Sequence, residues 1–420
     1  MKKEKQLAYF GGPKIVNRKF QEFNSYNNKE VIAAKKVTKT GILSGYVASN
    51  TQDFYGGKYV RKLEDQFCSY FRVKHAISVN SWTSGLVCAV GSLNIKPGDE
   101  IIVSPWTMSA SATSIIAWGA IPIFSEINLE TFCLDPKFIE EKINKKTKAI
   151  MVVDIFGQSA DYKKINQIAK KYKLKVISDT AQAIGSKQLD KYSGTLSDIG
   201  GFSLNRHKHI HCGEGGVIIT NNDYLAENMR KIRNHGEVIN KDKNFTNLLG
   251  FNFRLNEIEA AIAIEQLKKL KTILKKKIFM AERLTKGLQD LRGLMPPKIG
   301  KNNTHVYYSY PIRVDTNILK IKKNKIFKYL KAEGLPINDR YVNILNYNMY
   351  IDRKISNHYP WKIKGKKFFY SKKQNVYKQI ENLIINEYMD ISFCKYDFEK
   401  EDIDLIINCF KKVWNNLKLN

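Results

Sequence analysis

The sequence contains no CxxC pair. Its six cysteines, at 68, 88, 133, 212, 394 and 409, stand singly, which excludes zinc-ligand and thiol–disulfide spacings and predicts reduced structural thiols, with no metal. It also lacks an apolar run long enough to cross a bilayer. Met1-Lys2-Lys3-Glu4-Lys5-Gln6 leads into no apolar signal core, so the expectation is a cytoplasmic protein with no membrane partner. Acidic residues are scarce, 40 against 70 Lys and Arg, for a net charge of +30. Such an excess is a footprint of nucleic-acid binding. Here the lysines are spread along the whole chain, from Lys142-Ile143-Asn144-Lys145-Lys146 to Lys275-Lys276-Lys277, beside abundant Asn and Ile. That spread reads as compositional bias rather than a nucleic-acid groove, while the positive field still attracts a small anion.

What is present fits a soluble globular enzyme. At 420 residues, with 43% hydrophobic and 11% aromatic content, the chain can bury one large and one smaller core. Short apolar strands alternate with helical periodicity: Ala76-Ile77-Ser78-Val79-Asn80, then Ile101-Ile102-Val103, Ile121 to Phe124, Ala149 to Phe156 and Val176-Ile177-Ser178-Asp179. Repeated strand–helix–strand units with right-handed crossovers make this an α/β chain with a mostly parallel sheet. Between the strands, Glu30 to Thr38 predicts a helix with Val31, Ala34 and Val37 on one face. Asp135-Pro136 predicts a capped helix running to Thr147.

Chemistry concentrates after the strand that ends at Asp179. Ligands of parallel sheets bind beyond the carboxyl ends of strands, so Asp179 points into a crevice, with Gln182 one turn on. Downstream, Gly194 to Asn222 carries a small-residue run, Phe202-Ser203, Lys208 and a Gly-Glu-Gly-Gly turn before the strand Val217-Ile218-Ile219-Thr220. A buried lysine beside other cations has a lowered pKa and a free amine, the requirement for a nucleophile. Upstream, the helix that starts at Ser81-Trp82-Thr83-Ser84-Gly85 offers amides and hydroxyls to a phosphate.

The pair DTAQAIGS and FSLNRHKHIHCGEGG resembles the signature of the DegT/DnrJ/EryC1/StrS family of pyridoxal-phosphate (PLP) sugar aminotransferases. The resemblance implies PLP-dependent transferase fold type I, aspartate-aminotransferase-like. It implies a large PLP-binding domain over 1–270, with segment 1–40 packing near the small domain, and a small C-terminal α+β domain over 271–420. Lys208 becomes the Schiff-base lysine, Asp179 the partner of the pyridine nitrogen, Gln182 that of the phenolic oxygen, and Ser203 a phosphate ligand with Thr83 and Ser84. The family writes the phosphate turn as SGTAAL, so Trp82 replaces a glycine and an α-region turn is expected there. The ring face is covered by Met108 or Trp106. GFNFRL at 250–255 resembles the family's GYNYRM, implying that Asn252 reaches a neighbouring subunit's phosphate in a homodimer with shared active sites. Arg254 is either a contact for an anionic substrate or a helix-start salt bridge, and His235 either a pocket residue or a surface one.

The activity implied is amination of a keto sugar, nucleotide-linked, or of a cyclitol, with glutamate or glutamine as donor, for polysaccharide or amino-sugar biosynthesis. A PLP-dependent sugar dehydratase of the same family, in which histidine replaces the lysine, a basic nucleic-acid-binding protein and a catalytically retired subunit are the alternatives. The aromatic stretch Asp339 to Gln374 is expected to shape the substrate entrance.

Overall fold

The computed structural model describes residues 6–49, 51–237, 248–300, 302–347, 349, 362–363, 366–367 and 377–417. Most of the expected entrance stretch after residue 347, and the first five residues, lie outside these.

Seven strands form the larger sheet: β1 (His75–Val79), β2 (Glu100–Val103), β3 (Ile121–Phe124), β4 (Thr147–Val153), β5 (Lys175–Asp179), β8 (Ile199–Ser203) and β9 (Gly216–Thr220). A two-residue pair, β6 (Lys187–Gln188) and β7 (Lys191–Tyr192), stands apart as a hairpin. The sheet order is β1-β9-β8-β5-β4-β2-β3. From β8 to β3 all neighbours are parallel, whereas β9 runs antiparallel to both β8 and β1. Buried on both faces, these strands are nearly continuous runs of Val, Ile and Ala, as parallel sheets require. The order places the ends of β5 and β8 side by side, Asp179 in register with Gly201.

Helices α1 (Asn28–Thr38), α2 (Lys58–Phe71), α3 (Trp82–Ser92), α4 (Ala110–Ile116), α5 (Tyr162–Lys171) and α6 (Asp223–Arg233) accompany the sheet. In α1 the expected inner face is corrected. Val37 is buried, but Val31 is 61% exposed, because Glu30 turns inward to Lys269 (2.5 Å) and Gln266 (2.8 Å) and sets the helix rotation. The helix expected after Asp135 is instead two single 3-10 turns, Pro136–Phe138 and Glu140–Lys142. Asn144, tied to Glu100 (2.6 Å) and Thr147 (3.0 Å), draws the chain out of helix there.

The long α7 (Glu257–Leu288) spans two cores. Ala260 to Leu274 pack with α2 and the larger sheet, and Met280 to Leu288 pack with the smaller one. The smaller sheet, antiparallel throughout, is β10 (Leu294–Met295), β11 (Tyr310–Val314), β15 (Tyr388–Ile391) and β12 (Ile337–Asn338), in that order. The hairpin of β13 (Lys362–Ile363) and β14 (Lys366–Lys367) precedes β15 in the chain. Leu7, Val16 and Phe20 join this second core, held by Glu333, which accepts from the Ala8 amide at 2.8 Å.

Candidate active site

Each strand end delivers one group to the crevice. Asp179 closes β5, 5% exposed, and its Oδ1 and Oδ2 accept from the Trp82 indole N–H and the Ser111 hydroxyl, both at 2.7 Å. Ser203 closes β8 and is buried, its Oγ accepting the Asn205 amide at 3.3 Å. The chain then turns through Lys208 and returns along β9.

Lys208 is buried, and burial lowers its pKa to about 8 while the fields of Asp179 and Cys394 oppose the fall. Its Nζ lies over the Tyr308 ring, 4.5 Å from the centroid. An amine with that pKa is substantially neutral near pH 8, the form that attacks a carbonyl. Of the histidines beside it, His207 is exposed and His209 is fully buried on the Val306 carbonyl (2.8 Å), with its pKa driven down to about 3 by burial. Neither replaces the lysine.

Gln182 is anchored at both ends: Oε1 accepts the Phe156 amide (2.8 Å) and Nε2 donates to the Tyr341 hydroxyl (2.9 Å). An amide nitrogen carries two hydrogens, so one N–H remains beyond the Tyr341 bond. At the start of α3, Ser81 caps the helix by accepting the Ser84 amide (3.1 Å). Ser84 is buried and donates to Asn80 (2.7 Å), Thr83 is exposed, and Trp82 is the first helical residue, its φ not positive. Glycines 213 and 215 hold left-handed φ values of 97° and 154° in the turn after Lys208.

The two candidates for the ring face differ. Met108 is 56% exposed, whereas Trp106 is fully enclosed by Phe156, Tyr341 and Tyr388. Asn252 is exposed and bridged to Asn234, in a loop tied to the end of β1 by the Asn80 amide on the Phe253 carbonyl (2.9 Å). Arg254 makes no salt bridge among the described residues and instead donates to Asn234 Oδ1 through Nε at 2.9 Å. His235 is exposed, at a φ of 63°. Asn252, Arg254 and His235 thus gather around Asn234, and none of their hydrogen bonds among the described residues reaches Lys208 or Asp179.

Three groups at the site escape sequence reasoning. Ser111 reaches Asp179 from α4, Tyr308 lies under Lys208, and Tyr341 holds Gln182. A cleft of about 670 Å³ opens beyond them, lined by Tyr308, Ser309, Asn338, Arg340, Tyr341 and Asp390 among others. Asp390 is 5% exposed, accepts from Ser309 and Asn338, and is raised to about 6 by burial. The tyrosine-rich run at 307–310 and the aromatic stretch Asp339 to Gln374, which contains Tyr341, are signals for the tyrosines, but neither fixes a partner, and Ser111 has no such signal.

The donor set fits PLP: a buried acid supplied by hydrogen-bond donors, a lysine of depressed pKa, a spare amide N–H, and hydroxyls at the start of an 11-residue helix. The chain matches the sequence profile of the DegT/DnrJ/EryC1/StrS aminotransferase family over residues 45–361. It is 35% identical over 276 residues to GDP-perosamine synthase of Vibrio cholerae, covering 66% of this chain and 72% of that protein. It is 34% identical over 292 residues to UDP-2-acetamido-2-deoxy-3-oxo-D-glucuronate aminotransferase of Pseudomonas aeruginosa, covering 69% and 78%. The solved structure of NtdA from Bacillus subtilis, with its cofactor PMP bound, superposes with a TM-score of 0.76 at 26% identity, over 95% of this chain and 86% of that one.

Proposed function

The chain belongs to the DegT/DnrJ/EryC1/StrS aminotransferase family, and from that premise we propose that it aminates a keto sugar carried on a nucleotide, using PLP and glutamate or glutamine as donor. The observation that carries this reading is the buried Lys208, its pKa lowered to about 8, within the field of Asp179. When bound, the cofactor supplies an electron sink for charge developing on the substrate carbon.

The chain's own residues do the rest. Lys208 anchors the cofactor and then carries a proton to and from the reacting carbon. Asp179 holds the proton on the ring nitrogen, and the spare N–H of Gln182 meets the phenolic oxygen. Ser203, Thr83, Ser84 and the first amides of α3 bind the phosphate. Met108, 56% exposed, would cover the ring face, its thioether packing on the aromatic surface. The cleft beyond Tyr308 receives the sugar, and Arg206, Arg340 and Lys395 on its lining attract an anionic carrier.

We assign a larger cofactor-binding domain and a smaller one that exchange packing partners between Leu274 and Met280 of α7. A homodimer in the cytoplasm completes the proposal. Exposed Val31, Ile32, Ile42, Leu43 and Val47 offer apolar surface for a second copy, from which Asn252 would reach this site. Among the described residues no helix is long and apolar enough to cross a membrane.

The test is borohydride reduction of the PLP-loaded protein followed by peptide mapping. A pyridoxyl adduct on Lys208, absent from Lys208→Ala, is expected, and an adduct on any other residue would overturn the assignment. Keto-sugar nucleotides with glutamate should then yield an amino sugar, whereas a deoxygenated product would move the chain to the family's dehydratases.

A further inference from the structure

Asp179 is almost wholly buried, yet among the described residues every hydrogen bond to its carboxylate comes from a neutral donor: Trp82, Ser111 and the Ala181 amide. The Trp82 bond needs unusual reach. Trp82 begins α3 beside β9, and Asp179 ends β5, so the indole must cross β8 to arrive. It crosses at Gly201, the register partner of Asp179. A Cβ at Gly201 would stand 2.2 Å from the ring carbon Cζ3, and one at Gly85 would stand 2.7 Å from Cε3. Two glycines therefore leave the slot that the indole fills. Filling volume alone does not require aim: the fully buried Trp106 leaves its N–H with no partner among the described residues.

We propose that Trp82 is a positioning residue for the cofactor, acting through Asp179: its indole N–H, with the Ser111 hydroxyl, holds the carboxylate in the orientation in which the ring nitrogen retains its proton. This rests on the reading of Asp179 as the partner of that nitrogen. Donors to a carboxylate favour its charged form and weaken its hold on a proton. A proton lying between acid and ring then stays on the ring. A guanidinium in the indole's place would also favour the carboxylate, but its charge would oppose a protonated ring a few ångströms away. Neutral donors avoid that conflict. Among the described residues Lys208, Asp154 and the Tyr341 phenol feel the charge of Asp179, and Asp154 is itself raised to about 7, chiefly by burial.

The experiment loads the full-length protein with PLP carrying 15N in the ring, whose chemical shift reports protonation of that nitrogen. Trp82→Phe removes the N–H and part of the ring. Trp82→benzothienylalanine keeps both fused rings and removes only the N–H. The wild-type nitrogen should read as protonated. Both variants should move it toward the neutral form and weaken PLP binding about tenfold, equivalent to one pKa unit, with the thermal midpoint of the benzothienyl apoprotein unchanged. A benzothienyl variant with the wild-type shift and affinity would reduce Trp82 to a core filler and overturn the proposal. Asp179→Asn, run alongside, should read as neutral. If it too stays protonated, the assignment of Asp179 itself has failed rather than that of Trp82.

Discussion

Two acids, Asp179 at the end of β5 in the larger sheet and Asp390 in β15 of the smaller one, are equally buried at 5% exposure, but they are held differently. Asp179 has a side-chain donor on each oxygen, one from α3 and one from α4. Among the described residues the hydrogen bonds from Ser309 and Asn338 both fall on Asp390 Oδ2, and burial raises its pKa to about 6 against the opposing pull of Ser309, Asn338 and Tyr388. Burial alone therefore does not set an acid's role. The two acids differ in which elements supply their donors and in how those donors are spread over the two oxygens.

The largest break in this comparison is Asp179→Ala. Losing the ring nitrogen's partner should lower kcat by about 10²–10³-fold, the size seen when a fixed electrostatic partner is removed, measured as amine product under saturating substrate. Asp390→Asn should act on the other side only. We expect KM for the keto sugar to rise about tenfold, the loss of one charge-assisted hydrogen bond, with PLP affinity unaltered. An equal loss of PLP affinity would mean that the two sides are not separable.

The smallest effect is on stability against pH. Asp390 is raised from 3.8 to about 6, so between those values the folded protein keeps a proton that the unfolded chain has released. Its contribution is complete below pH 3.8 and is lost as pH rises through about 6. Denaturant midpoints should fall across that window, and Asp390→Asn should flatten the fall. Asp154, raised to about 7 by burial, should leave a second decline that persists in this variant.

The floor of the site was far more legible than its wall. Asp179 was read from a strand end, because a local run of residues fixes where a strand stops, whereas the roles of Lys208 and Ser203 came from the resemblance to the family motifs. Trp82 was visible as a departure from a glycine, but its bond to Asp179 was not, since 97 residues separate them. Gly201, inside a strand, could have been read as room left for a large ring. Val31 was misplaced because helical spacing cannot tell that a glutamate, Glu30, is drawn inward by Lys269 and Gln266.

By itself the chain's order of residues determined the strand–helix alternation, the lysine and the acid, since propensity, periodicity and turn chemistry act over a few neighbours. Tertiary structure alone decided that Tyr308 lies beneath Lys208, that Tyr341 holds Gln182, and that an indole crosses a strand to reach Asp179. Those contacts join segments about 100 to 160 residues apart. The strand order of the larger sheet brings Trp82 to Asp179, and the later return of the chain past residue 300 brings Tyr308 and Tyr341 to Lys208 and Gln182.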